Sequence, residues 1–184
     1  MRSRVAATAG LMLLTAVAGV GCWGGSAAAQ TAPQAHEIPQ SFVVAHQETL
    51  AELTAIAKRR TRTGAIARKA LEAVKAHFRR EEEYILPPLT LAPAIAQGRV
   101  TPDMKWAVAM ADRIKADREL IFKEHTVITE WMSELAVAAE RAHEADVIAF
   151  ARSAVADSLN DTEVNEPMAI VIGDFVRAKF PAGP

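Results

Sequence analysis

Apolar positions in this chain recur at three- and four-residue steps over long stretches, the pattern of amphipathic helices. A first helix is expected from Ser41, as its cap, to about Arg60, with Phe42/Val43, His46, Leu50, Leu53 and Ile56/Ala57 on one face. Thr61-Arg62-Thr63-Gly64 reads as a turn. A second helix follows from about Ala65 to Leu86, with Leu71, Val74, His77/Phe78, Glu81 and Ile85 on its stripe, and Pro87-Pro88 stops it. The segment to Val100 is a loop with room for a short helical turn. Thr101-Pro102-Asp103 starts a third helix that runs to about Arg141, with Met110, Ile114, Ile121/Phe122, His125, Ile128, Met132 and Leu135 facing inward. After the polar turn Ala142-His143-Glu144, a fourth helix spans Ala145 to about Val176, bent at Pro167. Its inner stripe is Ile148, Ala151, Val155, Leu159, Thr162/Glu163, Glu166 and Ile170. No alternating run or hairpin dipeptide signals a strand. The short links make each helix pair antiparallel, so the expected fold is all-α, an up-down-up-down four-helix bundle.

The first 29 residues stand outside this pattern. Arg2 and Arg4 precede an apolar run from Val5 to Val20, and Ala27-Ala28-Ala29 offers a small-residue cleavage site. That is a secretory signal peptide, and it points to the periplasm or the exterior. The run is short for a membrane span of about 20 residues. Cys22, in Gly19-Val20-Gly21-Cys22, loosely matches a lipoprotein box and offers a lipid anchor as the minority alternative. Residues 30–37 form a linker, residues 38–178 the bundle and 179–184 a tail. Cleavage leaves 19 basic and 22 acidic residues, so no basic surface supports nucleic-acid binding. With one Cys, any metal must be held by His and carboxylates.

Three of the five His face inward, one on each of the first three helices: His46, His77 and His125. Burying one of these rings unpaired costs about 1–3 kcal/mol, and a shared metal satisfies all three. Glu81 lies four residues after His77, which places both side chains on one helix face, about 5–6 Å apart at Cβ. The pair can reach one ion, or Glu81 can bridge two. Imidazole with carboxylate suits iron, zinc or manganese. Helix phase adds Glu163 and Glu166 as inward carboxylates of the fourth helix, and puts Asp157 and Asp161 on exposed surface. His36 and His143 fall in the linker and a turn, as bystanders. Tyr84, one turn from Glu81, either donates a hydrogen bond near the site or packs in the core.

The segments Ile38-Pro39-x-Ser41-Phe42-x-x-x-His46-x-x-x-Leu50, His77-Phe78-x-x-Glu81-Glu82-x-x-Ile85-Leu86-Pro87, Glu124-His125-x-x-Ile128 and Ala169-Ile170-Val171-Ile172-Gly173-Asp174 resemble a hemerythrin-like (HHE cation-binding) domain over about residues 38–178. The resemblance implies a four-helix bundle with a non-haem di-iron centre, and His46, His77, Glu81 and His125 match its ligand positions. The family's fourth helix carries a His followed by a carboxylate, and this chain has no His after His143. Counting back from Pro167 as His77 lies from Pro87 reaches Asp157 and Asp161. Helix phase instead gives Leu159 and Glu163, and phase is the preferred guide because a ligand must face inward. The expected function is an exported iron protein that binds or senses O2 or NO, more a metal-binding protein than an enzyme. A di-iron oxidase or peroxidase, and a structural bundle with a degenerate site, are the alternatives. Oligomeric state and protein partners leave no trace in the sequence.

Overall fold

The computed structural model describes residues 36–181. The signal peptide, Cys22 and most of the linker lie outside the described residues. The described chain is all-helical, with no strand among its residues. Its α-helices are α1 (Gln40–Ala57), α2 (Arg62–Arg80), α3 (Ala92–Ala96), α4 (Trp106–Ala116), α5 (Arg118–Ala142), α6 (Ala145–Asn160) and α7 (Glu166–Lys179). None is long and apolar enough to cross a membrane.

The turn between α1 and α2 is built locally. The Thr61 hydroxyl accepts from the Gly64 amide at 3.2 Å, the N-cap arrangement that satisfies a free helix donor. Gly64 is required there, since a Cβ would lie 2.1 Å from the Arg59 carbonyl oxygen. α5 ends in a Schellman turn: His143 takes the left-handed conformation at φ 57°, and the Glu144 amide donates to the Ala139 carbonyl at 3.0 Å. His143 is exposed, as a turn residue should be. α1 begins at Gln40 without a side-chain cap, so Ser41 does not serve as one.

Packing follows the apolar stripes. α1, α2, α5 and α6 share one core built on Leu53, Ile56, Leu71, Val74, Met132, Leu135 and Val147. A second cluster joins Tyr84, Ile85, Ile114, Ile121 and Ala169. α4 packs on α7, where Gly173 lets the helices approach closely at Ala107 and Ala111. In each of three rods the sequence passes from the first cluster to the second through polar residues: Val74, His77, Glu81, Tyr84; Ile128, His125, Ile121; and Ala154, Ser158, Glu166, Ala169. A buried polar layer therefore lies between two apolar ones.

Three expectations need correction. The stretch from Thr101 to Arg141 is not one helix. It begins as a 3₁₀ turn, Pro102–Lys105, and breaks at Asp117, whose ψ of 5° is non-helical. The Tyr84 hydroxyl donates to Asp117 at 2.8 Å, and the Arg113 guanidinium lies 3.9 Å from the Tyr84 ring centroid. This tie outside the helix competes with its continuation, and no Gly or Pro announces it. It also directs the Tyr84 hydroxyl to Asp117 and not to Glu81, and burial and the Asp117 carboxylate push its pKa up to about 12.

The second and fourth helices are also interrupted. Each contains one π-turn, Glu81–Ile85 and Asp161–Asn165, closed by Leu86 N–H to Glu81 C=O at 2.8 Å and by Glu166 N–H to Asp161 C=O. A π-turn holds one extra residue and resets the phase of everything beyond it. The two turns start 80 residues apart, and Pro87 and Pro167 follow them at the same offset.

Candidate metal centre

His46 on α1, His77 on α2, Glu81 at the start of the first π-turn, His125 on α5 and Glu166 at the start of α7 are all buried and close together. Donor atoms of His77, Glu81 and His125 lie within 4.8 Å of one another, and this buried group can hold a metal ion. Glu81 sits between two imidazoles. Its Oε1 lies 3.2 Å from His77 Nε2, and its Oε2 lies 3.2 Å from His46 Nε2. Both contacts are close but misaligned, so His77 Nε2 and both Glu81 oxygens are left without a hydrogen bond. Unmade bonds on buried groups of this kind cost about 1–3 kcal/mol each. A cation among them removes that penalty, so the donor set fits a metal.

The outer ring nitrogens are held. His77 Nδ1 donates to Glu124 Oε2 at 3.2 Å, and Arg80 grips the same carboxylate with Nε at 3.0 Å and Nη2 at 3.0 Å. His46 Nδ1 lies 2.9 Å from Glu82 Oε1, and the ring stacks on Phe78 with centroids 3.6 Å apart. His125 Nδ1 lies 2.9 Å from Ser158 Oγ, while its Nε2 lies 2.6 Å from Glu166 Oε1. Such partners fix a ligand's ring orientation and tautomer. Glu82, Glu124 and Ser158 were not among the expected site residues. Glu124 precedes His125 in the sequence, yet serves the ring on the neighbouring helix. The spacing of His residues alone carries no signal for that.

The fourth helix reverses the phase argument. Glu163 is exposed, and Leu159 is 50% exposed, so neither faces the site. The buried face of α6 runs through Val147, Ala151, Ala154 and Ser158, one residue off the expected stripe, and this turns both outward. Asp161, expected on the surface, is half-buried and lines the cavity beside the three His. Glu166 keeps its inward place because it lies beyond the π-turn. Counting from Pro167 finds Asp161, because the two π-turns carry the same offset as the prolines, but its other residue, Asp157, is exposed as expected. Phe122, paired with Ile121 on the third stripe, is 63% exposed.

Electrostatics couple these groups. Burial opposes charge on His77, but Glu81 and Glu124 outweigh it and raise its pKa to about 9. Burial likewise works against ionised Glu81, and His46 and His77 overcome it, holding the carboxyl at about 2. His46 is raised in the same way by Glu81 and Glu82 against its burial. Asp161 is pushed up to about 6 by burial and by repulsion from Glu81.

A stability profile for the metal-free chain follows. The raised His77 contributes fully below its ordinary 6.5, and that contribution is lost as pH rises through about 9. The raised Asp161 adds a loss between 3.8 and about 6. The depressed Glu81 contributes above 4.5 and loses that contribution as pH falls through about 2. Thermal unfolding in a chelator is expected to peak between pH 3.8 and 4.5, to fall as Asp161 ionises toward about 6, and to fall by several degrees more by pH 9. A Tm that rises steadily to pH 9 would contradict the charge assignment.

A cavity of about 130 Å³ opens beside the cluster. His46, His77, His125, Asp157, Ser158 and Asp161 form its polar wall, and Phe42, Val74, Phe78, Ile128 and Met132 its apolar wall. No family model, no curated protein and no solved structure matches the chain.

Proposed function

We propose that the chain is an exported, hemerythrin-like non-haem iron protein, an up-down-up-down four-helix bundle whose centre binds a small diatomic ligand such as O2 or NO. In this reading α1, α2–π, α4–α5 and α6–π–α7 are the four rods. The observation that carries the proposal is Glu81: a buried carboxylate with both oxygens unpartnered, each beside a different imidazole. A carboxylate so placed would hold one ion with His77 and His125, or would share two ions with the three His. Iron bound there would supply redox chemistry and a coordination position for the small ligand. His46, His77, Glu81 and His125 would hold the ion, Glu82, Glu124 and Ser158 orient the rings, and Glu166, 2.6 Å from His125, would be the further carboxylate ligand. The apolar wall of the cavity excludes bulk water from a bound diatomic.

Iron per chain and the visible spectrum with O2, azide and NO test this reading. Reversible O2 or NO bands on an iron-loaded chain are expected, and absence of iron after reconstitution would sink it. A peroxidase or oxidase is the second reading, favoured by the acidic character of the layer, where Glu81, Asp161 and Glu166 accompany three His. Hard oxygen donors stabilise higher oxidation states, and turnover of peroxide would decide for it.

A further inference from the structure

The buried donors raise a question of access, because His77, Glu81 and His125 are 2%, 1% and 5% exposed. The cavity reaches the surface between α1 and α6, two helices that meet only briefly. Small residues line that gap: Ala45 and Thr49 on α1, Ala154 on α6. The same three residues and Asp157 also line a surface groove that continues outward along both helices. Four carboxylates border the groove, Glu48, Glu52, Asp146 and Asp157, with no Lys or Arg among its lining residues. Asp146 is tied to Arg59 at 3.2 Å, which leaves three acids nearer the mouth. The groove between α1 and α2 is different, since Lys75 and Arg79 line it beside Glu72 and Glu82. Clefts of one charge sign concentrate counter-ions and speed their association.

We propose that the α1/α6 groove is the loading port for a divalent cation. Glu48, Glu52 and Asp157 draw the hydrated ion to the gap at Ala45, and the cavity passes it to the unpartnered Nε2 of His77 on its inner wall, with Glu81 Oε1 3.2 Å behind. The proposal rests on the metal-binding reading and adds to it a route and residues that are not ligands.

Stopped-flow uptake of Co2+ by the metal-free full chain tests both in one experiment. The triple variant Glu48→Gln, Glu52→Gln, Asp157→Asn should load about 10-fold more slowly at low ionic strength, and should lose most of the salt dependence of the wild-type rate. Its final stoichiometry should match the wild type. Ala45→Phe, at an exposed position on the rim, should slow loading sterically while the salt dependence stays. Wild-type rates in both variants would overturn the port while leaving the metal site intact. Loss of bound Co2+ in the triple variant would make Asp157 a ligand, and would overturn its role in passage. A wild-type chain that takes up no Co2+ would overturn the metal reading and the port together.

Discussion

Replacing Glu81 with Gln is expected to lower metal affinity by more than about 100-fold while leaving the fold intact. The substitution keeps the side-chain volume, so the layer between the two apolar clusters stays filled. What changes is the charge that unites the site. A cation placed among His77 Nε2 and the Glu81 oxygens loses its one fully buried anion and gains an amide nitrogen in its place. Partners that only orient ligands are worth about 10–100-fold in affinity, so loss of a ligand should exceed that range. The same variant removes the largest support for protonated His77, whose raised pKa depends on Glu81 first and Glu124 second among its partners. The metal-free protein should therefore lose much of its decline in Tm between pH 6.5 and 9. Titration with Co2+ against a chelator reads the first effect, and thermal melts read the second. Binding within threefold of wild type would place the ion elsewhere.

Gly173→Val is expected to have the largest effect on stability. A Cβ at Gly173 would lie 2.4 Å from the Ala111 Cβ and 2.7 Å from the Ala107 carbonyl oxygen. The second of these is helix backbone, which cannot swing aside. Overpacking by a few methyl groups ordinarily costs about 1–3 kcal/mol, and a collision with backbone should reach or exceed the upper end. A domain with about 5–15 kcal/mol in total has little margin against that. Because α7 also carries Glu166, a shift of α7 off α4 should loosen the 2.6 Å contact to His125. The urea midpoint should fall with m unchanged, and metal affinity should fall with it. An unchanged midpoint would mean that the α4–α7 contact is looser than the structure has it.

Where the chain winds regularly, its periodicity was enough. His46, His77 and His125 lie on uninterrupted helical stretches, and simple counting turns all three inward together with Glu81. On α6 the buried positions Val147, Ala151, Ala154 and Ser158 are mostly small or polar, and the larger Ile148, Val155 and Leu159 lie one residue on, so an apolar count selects the wrong face. A π-turn, which is a hydrogen-bond pattern and not a composition, then hides the change of phase. Asp161–Asn165 contains neither Gly nor Pro, so nothing marks the extra residue that brings Glu166 and Ala169 back to the buried face. The break at Asp117 is hidden for a related reason, since its cause is Tyr84, thirty-three residues earlier. The ring-orienting contacts of Glu82, Glu124 and Ser158 are likewise tertiary, and only the packed helices reveal which ring each one serves.

The paired π-turns bear on more than register. A helix that holds one surplus residue can expel it by rewinding, and rewinding turns one side of the rod against the other by about 100°. Glu81 and Asp161 each stand at the first residue of such a coil, Glu81 between two imidazoles and Asp161 on the cavity wall. Rewinding either coil would turn its carboxylate, or the apolar face beyond it, away from its present partners. Each π-turn is thus a point where a rod can change its register beside Glu81 or Asp161, and a cation held there would also be a pin that stops the rod from turning.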